Sequence, residues 1–270
     1  MLTRFAPSPT GLLHLGHAYA AEFAFDLAKK HGGRFLLRFE DIDTTRVRDD
    51  YYSMIEEDLE WLGLSWDEPP LRQLDRLPFY MEALDRLKAM EVVYPCFCTR
   101  REIQNEIAGM GNAPHGPEGF LYPGICKNMS LEERGDRIGA GEAHCWRLDI
   151  VKATQRCGAL TFNDQIKGLI DVDLTVLGDV VLARKDIATS YHLAVVVDDA
   201  MQEITDVTRG EDLLSSTHVH RVLQELLGLH EPNYHHHRLI CDASGKRLAK
   251  RNDDLSIRAL REGGASPVMI

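Results

Sequence analysis

One stretch constrains the fold more than any other: Leu2-Thr3-Arg4-Phe5-Ala6-Pro7-Ser8-Pro9-Thr10-Gly11-Leu12-Leu13-His14-Leu15-Gly16-His17. A short apolar strand runs into a turn punctuated by Pro7, Pro9 and Gly11, and a helix opens behind it. His14 and His17, three residues apart, share one face of that helix. The helix start aims backbone N–H groups and a positive dipole end above the strand. Gly16 leaves bare backbone for close approach of a flat ligand. This combination suits the phosphates and adenine of ATP. No metal is expected at the histidine pair, which lacks the HExxH ligand pattern.

The following elements extend this start into an α/β chain. Residues 1–6 read as a strand, 15–30 as a helix stopped by Gly32-Gly33, and 34–39 as a second strand, a βαβ unit with a parallel sheet. Amphipathic helices are expected near 49–62 and 76–90. The pattern then changes. Tyr94–Cys98 is strand-like, Thr99–Ala108 is helix-like, and 109–124 is a Gly/Pro-rich irregular loop. Short candidate strands follow in CWRLDI, GALTFND, IDVDL and DVVLARKD. The α/β character returns at Tyr191–Asp199, with a strand in EITDVTRG and a helix over about 212–227 that Gly228 stops.

Composition sets outer limits. The chain has 270 residues, 44% of them apolar, enough for one large or two modest cores. No apolar run approaches a membrane span and no secretory signal is visible, so a cytosolic location is expected. Six cysteines at irregular spacings do not form a disulfide framework. A net charge of -11 speaks against a nucleic-acid partner, but the segment from His235 to Arg261 is locally basic.

Certain residues carry possible chemistry. Glu40, Asp41 and Asp43 follow the second strand, where ligands of open α/β sheets bind, so an acid there could accept an α-ammonium group. A solvated acidic loop is the competing reading. Arg4, on the neighbouring strand, and Arg209, closing a later one, could each take a carboxylate bidentately. Two such arginines in one pocket would suit a dicarboxylate such as glutamate, although surface ion pairing is the commoner fate of a single Arg. Gly245-Lys246-Arg247-Leu248-Ala249-Lys250-Arg251 suits a mobile loop stabilising a transferring phosphate. Cys96, Cys98 and Cys126 could hold Zn²⁺ with a fourth donor, either His115 or Tyr122. Cys145, Cys157 and Cys241 read as free thiols.

Together RFAPSPTG, LHLGH, RFEDID, YHLAVVVDD, VTRGEDL and KRLAKR resemble, in order and over about residues 2–251, the catalytic domain of glutamyl-tRNA synthetases, members of the class I aminoacyl-tRNA synthetases. The expected fold is α/β, a Rossmann-like parallel sheet with a zinc-bearing α+β insertion and no anticodon-binding domain. Its expected divisions are 1–93 and 190–245 for the two catalytic halves, 94–189 for the insertion, and 246–270 for the phosphate-binding loop and C-terminal helix. The cysteine pattern resembles that of the shortened paralogues that glutamylate queuosine, in which three cysteines and a tyrosine are ligands. That resemblance favours Cys96, Cys98, Tyr122 and Cys126.

The resemblance implies glutamate binding by Arg4, Phe5, Ala6, Pro7, Ser8, Glu40, Tyr191 and Arg209. It implies ATP binding by His14, Gly16, His17 and Lys250, with Mg²⁺ accompanying ATP, and catalysis through His14, His17 and Lys250. The family loop carries K-M/L-S-K-R/Q, whereas Arg247 and Ala249 here replace its first Lys and its Ser. The implied activity is formation of glutamyl-adenylate and transfer to queuosine in the tRNA(Asp) anticodon stem-loop, by a monomer with no membrane partner. The rival readings are a truncated glutamyl-tRNA synthetase charging tRNA(Glu), a non-catalytic synthetase-like RNA-binding protein, and a small nucleotidyltransferase.

Overall fold

A computed structural model describes residues 1–109, 115–116, 119–240 and 256–267. The first βαβ unit follows the sequence pattern closely: β1 is Leu2–Phe5, α1 Leu15–Lys30 and β2 Arg34–Phe39. α1 buries Ala18, Ala21, Ala24 and Ala28, and these small side chains let the helix backbone lie close to the sheet. Thr3 Oγ1 donates to the Ala24 carbonyl at 2.8 Å, which is possible only at such a short approach. After the helix, a Cβ on Gly33 would fall 2.3 Å from the Met1 carbonyl oxygen, so glycine is needed for the chain to re-enter the sheet beside β1.

α2 (Asp50–Trp61), β3 (Leu71–Arg72) and α3 (Leu77–Ala89) complete the first half. Next come β4 (Val93–Cys96), α4 (Arg100–Gly109), the short pair β5 (His115–Gly116) and β6 (Gly119–Phe120), α5 (Leu131–Gly139), β7 (Cys145–Leu148) and α6 (Ile150–Cys157). The stretch read as irregular loop thus contains an antiparallel β5/β6 pair. The stretch CWRLDI is a strand only as far as Leu148. There Asp149 takes the N-cap of α6, accepting from Val151 N at 3.1 Å and Lys152 N at 3.2 Å.

β8 (Thr161–Asp164), β9 (Gly168–Asp171), β10 (Val181–Ala183), α7 (Tyr191–Met201), β11 (Asp206–Gly210), α8 (Leu214–Leu227), β12 (Asn233–His237) and α9 (Ile257–Glu262) follow. Gly228 caps α8 in the left-handed conformation, φ 62°.

Two parallel ladders form the large sheet. β1, β2 and β3 pair in that order, as do β11, β12 and β8, with β9 antiparallel at the edge. Thr205 joins them at the seam, its N–H donating to the Leu2 carbonyl at 3.0 Å and its Oγ1 accepting from Leu2 N at 2.8 Å. β1 and β11 therefore lie side by side, and their carboxyl ends open onto the same crevice. The 94–189 stretch supplies two strands of this sheet. It also supplies a separate antiparallel sheet, β10-β7-β4, which carries Cys96 and Cys145. Among the described residues no helix is long and apolar enough to cross a membrane.

Candidate active site and cysteine centre

The histidine pair caps α1. His14 is the N-cap residue, its Nδ1 accepting from Gly16 N at 3.1 Å, while His17 Nδ1 accepts from His14 N at 3.3 Å. The rings stack 3.8 Å apart. A Cβ on Gly16 would approach His14 Cε1 to 3.0 Å, so a larger residue there would press on the His14 ring. The chain also returns to this point: Ser256 bridges His14, and Ile257 N donates to the Leu13 carbonyl at 2.8 Å. Lys250, with the rest of 241–255, lies outside the described residues.

The residues expected to meet glutamate gather at the β1/β11 seam. Arg4 projects from β1, Glu40 follows β2, Tyr191 opens α7, and Arg209 sits on β11. Phe5 ends β1, and Ala6, Pro7 and Ser8 carry the backbone on toward the histidines, where the Pro7 carbonyl accepts from Glu40 N at 3.0 Å. Tyr191 feels the charges of Arg209, Glu40 and Arg4, although burial is what chiefly raises its phenol. Burial likewise raises the Glu40 carboxyl, against the pull of Arg38 and Arg4.

The two arginines are held in opposite ways. The sequence aims Arg4 at an incoming carboxylate, but in the structure its fork is closed on Asp199, Nε to Oδ1 at 2.9 Å and Nη2 to Oδ2 at 3.1 Å. Arg38 donates to the same Oδ1 at 2.7 Å. Burial alone would raise the Asp199 carboxyl, yet the two guanidiniums outweigh it and hold it down at about 2.

Arg209 has no such partner: among the described residues no carboxylate pairs with it. Its Nε donates to His236 Nε2 at 3.2 Å and its Nη2 to Thr217 Oγ1 at 2.7 Å. Its Nη1 reaches Tyr191 Oη at 3.3 Å and His220 Nδ1 at 3.0 Å. His220 Nε2 in turn meets His192 Nδ1 at 3.2 Å. Burial and then the Arg209 charge push His192 and His236 each down to about 4 and His220 well below its ordinary value. These imidazoles are neutral at pH 7, so the Arg209 charge is left uncompensated.

Asp41, the second acid of RFEDID, is occupied in the scaffold, accepting from Tyr52 Oη at 2.7 Å and Leu74 N at 2.9 Å. The sequence reading gave no roles to Asp199, His192, Thr217, His220, His236 or Asp164. Their partners are 8 to 195 residues away along the chain, so no local periodicity signals them.

The cysteines converge as expected. The Cys96, Cys98 and Cys126 sulfurs lie within 4.8 Å of one another. Cys98 Sγ is 3.3 Å from Cys126 Sγ, and Tyr122 Oη is 3.3 Å from Cys96 Sγ and 3.6 Å from Cys98 Sγ. A tetrahedral ion with bonds of about 2.3 Å to sulfur sets its ligands about 3.8 Å apart, close to this spacing. The site could therefore hold a metal ion. His115, the other candidate donor, lies on β5 opposite Phe120. Cys145 is a free thiol but not an isolated one. The β4/β7 register sets it directly opposite Cys96. Arg147 lies over the Tyr122 ring, 3.8 Å from its centroid.

A family profile described as the catalytic domain of class I tRNA synthetases (E and Q) matches residues 1–270. The chain belongs to this family. It is 48% identical to a glutamyl-Q tRNA(Asp) synthetase of Rhodobacter capsulatus, an alignment covering 100% of this chain and 98% of the relative. It is 42% identical to a protein of the same name from Nitratidesulfovibrio vulgaris, covering 97% and 81% of the two chains. Among solved structures it resembles a glutamate tRNA ligase from Elizabethkingia meningosepticum in complex with its amino acid. That match has 31% identity and a TM-score of 0.79, and covers 94% of this chain but 52% of the ligase. The chain thus spans about half the length of that ligase.

Proposed function

We propose that this synthetase-family chain activates glutamate with Mg-ATP and transfers the glutamyl group to queuosine in the anticodon of tRNA(Asp). The observation that carries the amino-acid half is Arg209, a buried guanidinium held by neutral imidazoles and hydroxyls with its charge unmatched. A buried cation so arranged is complementary to an anionic ligand group. Glutamate brings a side-chain carboxylate for Arg209, and its α-ammonium is suited to Glu40, a half-buried carboxyl in the same pocket. The choice of acceptor is supported by full-length similarity to relatives named for it.

A carboxylate oxygen of glutamate attacks the α-phosphorus of ATP and pyrophosphate leaves with its electron pair. A hydroxyl of the queuosine cyclopentenediol then attacks the mixed anhydride, and AMP leaves. The His14/His17 pair and the start of α1 suit the nucleotide. Stacked and mutually capping, these rings offer fixed donors to the phosphates and need not accept a proton. Lys250 is assigned to the same phosphates by the family pattern. Cys96, Cys98, Tyr122 and Cys126 suit one Zn²⁺ with no open position, a structural ion tying the β10-β7-β4 sheet to the loop before α5.

The test is glutamylation of tRNA(Asp), with and without queuosine, and of its isolated anticodon stem-loop. Only the queuosine forms should be labelled, the stem-loop nearly as well as the intact tRNA. Labelling of the 3′ end of tRNA(Glu) at a comparable rate would favour a glutamyl-tRNA synthetase instead.

A further inference from the structure

The geometry points to Asp164 and His236 as positioning residues for Arg209, a buried relay that fixes one imidazole tautomer and thereby the direction of the guanidinium. The role assigned to Arg209 rests on the function proposed above; the relay itself does not.

Asp164 ends β8 and is 1% exposed. Its Oδ1 accepts from Ile166 N and Lys167 N, both at 2.8 Å. Its Oδ2 accepts from His236 N at 3.2 Å and contacts His236 Nδ1. Backbone amides thus pin the carboxylate from both sides, and it has one orientation to offer. The hydrogen bonds to His236 and to these amides overcome the effect of burial and hold its carboxyl below the ordinary value.

An ionised carboxylate only accepts, so His236 Nδ1 must carry a hydrogen. On the far side of the ring, Arg209 Nε–H only donates, so His236 Nε2 must present its lone pair. Both conditions hold in the neutral Nδ1–H tautomer and in no other form. The imidazolium or the Nε2–H tautomer would set an N–H against the Arg209 N–H at 3.2 Å. Thr217 Oγ1 braces the arrangement, 2.9 Å from His236 Nε2 and accepting from Arg209 Nη2.

The relay also accounts for the use of histidine. Asp164 touching Arg209 directly would cancel its charge, as Asp199 cancels that of Arg4. With a neutral ring between them, the acid orients the guanidinium and leaves its charge for a ligand. β8 comes from the stretch between β7 and β10, two strands of the cysteine sheet, so this stretch sets the aim of a residue on β11.

Two measurements test the relay. In ¹⁵N-labelled protein, the His236 ring should show a protonated Nδ1 and a bare Nε2 at pH 7, assigned by its loss in His236→Gln. An imidazolium or an Nε2–H ring would overturn the proposal. In glutamate-dependent ATP–pyrophosphate exchange, Asp164→Asn should raise the KM for glutamate at least about tenfold and leave the KM for ATP within about twofold. An unchanged glutamate KM in folded Asp164→Asn would also overturn it. Because Asp164 also closes a turn, His236→Gln and His236→Leu provide a second comparison. Gln keeps an acceptor for Arg209 Nε–H and should retain more glutamate affinity than Leu; equal losses would refute the relay. If the wild-type protein shows no glutamate-dependent exchange, the proposed function fails, while the tautomer measurement still decides the relay.

Discussion

Replacing Asp199 by asparagine should destabilise the fold by about 3 to 5 kcal/mol, the usual consequence of removing one partner from a buried ion pair. Asp199 serves two buried guanidiniums from one carboxylate. Arg38 is fully buried, and its Nε and Nη2 have no hydrogen-bond partner. Beyond Asp199 it has Gln202 at 2.9 Å and Glu40 at 3.7 Å. Besides Asp199, Arg4 has, among the described residues, only the Thr208 carbonyl at 3.2 Å. Asparagine preserves the shape, but it carries no charge and only one acceptor oxygen.

The protonation behaviour gives an independent figure. The Asp199 carboxyl is held at about 2 against an ordinary 3.8, which corresponds to about 2 to 3 kcal/mol of stability at neutral pH. The sign follows from where the proton binds. The unfolded chain takes it up at higher pH than the folded one, so this stability is complete well above pH 3.8 and is lost as pH falls toward 2. Urea unfolding of both proteins measures the effect. The gap between them should be constant from pH 7 to 5 and narrower by about 1 kcal/mol at pH 3, where only the wild type loses a charge. A gap below about 1 kcal/mol at pH 7, the range of an exposed pair, would refute this reasoning.

Arg209→Lys should raise the KM for glutamate about tenfold to a hundredfold and leave ATP binding intact, because an ammonium keeps the charge but cannot reproduce the fork held by His236, Thr217 and His220; pyrophosphate exchange with each substrate varied measures this. Cys98→Ser should reduce bound zinc, read by metal analysis of purified protein, and speed proteolysis around the cysteine sheet more than it slows adenylate formation. Full activity in wild-type protein carrying no more than trace zinc would contradict this. Glutamine should support exchange at least about a hundredfold less well than glutamate, since a neutral amide leaves Arg209 buried and unmatched; comparable exchange with the two amino acids would contradict the charge argument.

The first half of the fold was legible because its signals are local. The Pro/Gly turn before His14, the alanine face of α1 and Gly33 each fix backbone within a few residues, and the strands and helix formed where the pattern put them. The cysteine cluster was legible because Cys96-Phe97-Cys98 and Tyr122–Cys126 are two short motifs that one loop brings together. The environment of the arginines was not. Arg4 meets an acid 195 residues away, and Arg209 meets a histidine 27 residues away on the adjacent strand. Neither spacing leaves a trace in hydrophobic periodicity. Cys145 illustrates the same limit, since only the antiparallel register of β4 and β7 sets it opposite Cys96.

This difference between local and distant signals changes how the two arginines act. By sequence they are equivalent, each a strand-end cation available to one carboxylate of a dicarboxylic ligand. In the fold, Arg4, Arg38 and Arg209 face the carboxylates of Asp199 and Glu40, which leaves one positive charge, and its location is fixed. Asp199 and Glu40 together neutralise the Arg4/Arg38 side of the seam, and the neutral histidines leave the excess on Arg209. A ligand with two carboxylates and one ammonium carries the single negative charge that balances the pocket, whereas its amide analogue carries none. Under the proposed function, selectivity for the acid over the amide depends on how Arg209 is surrounded, and it would be lost by placing a carboxylate beside Arg209 as surely as by removing the arginine.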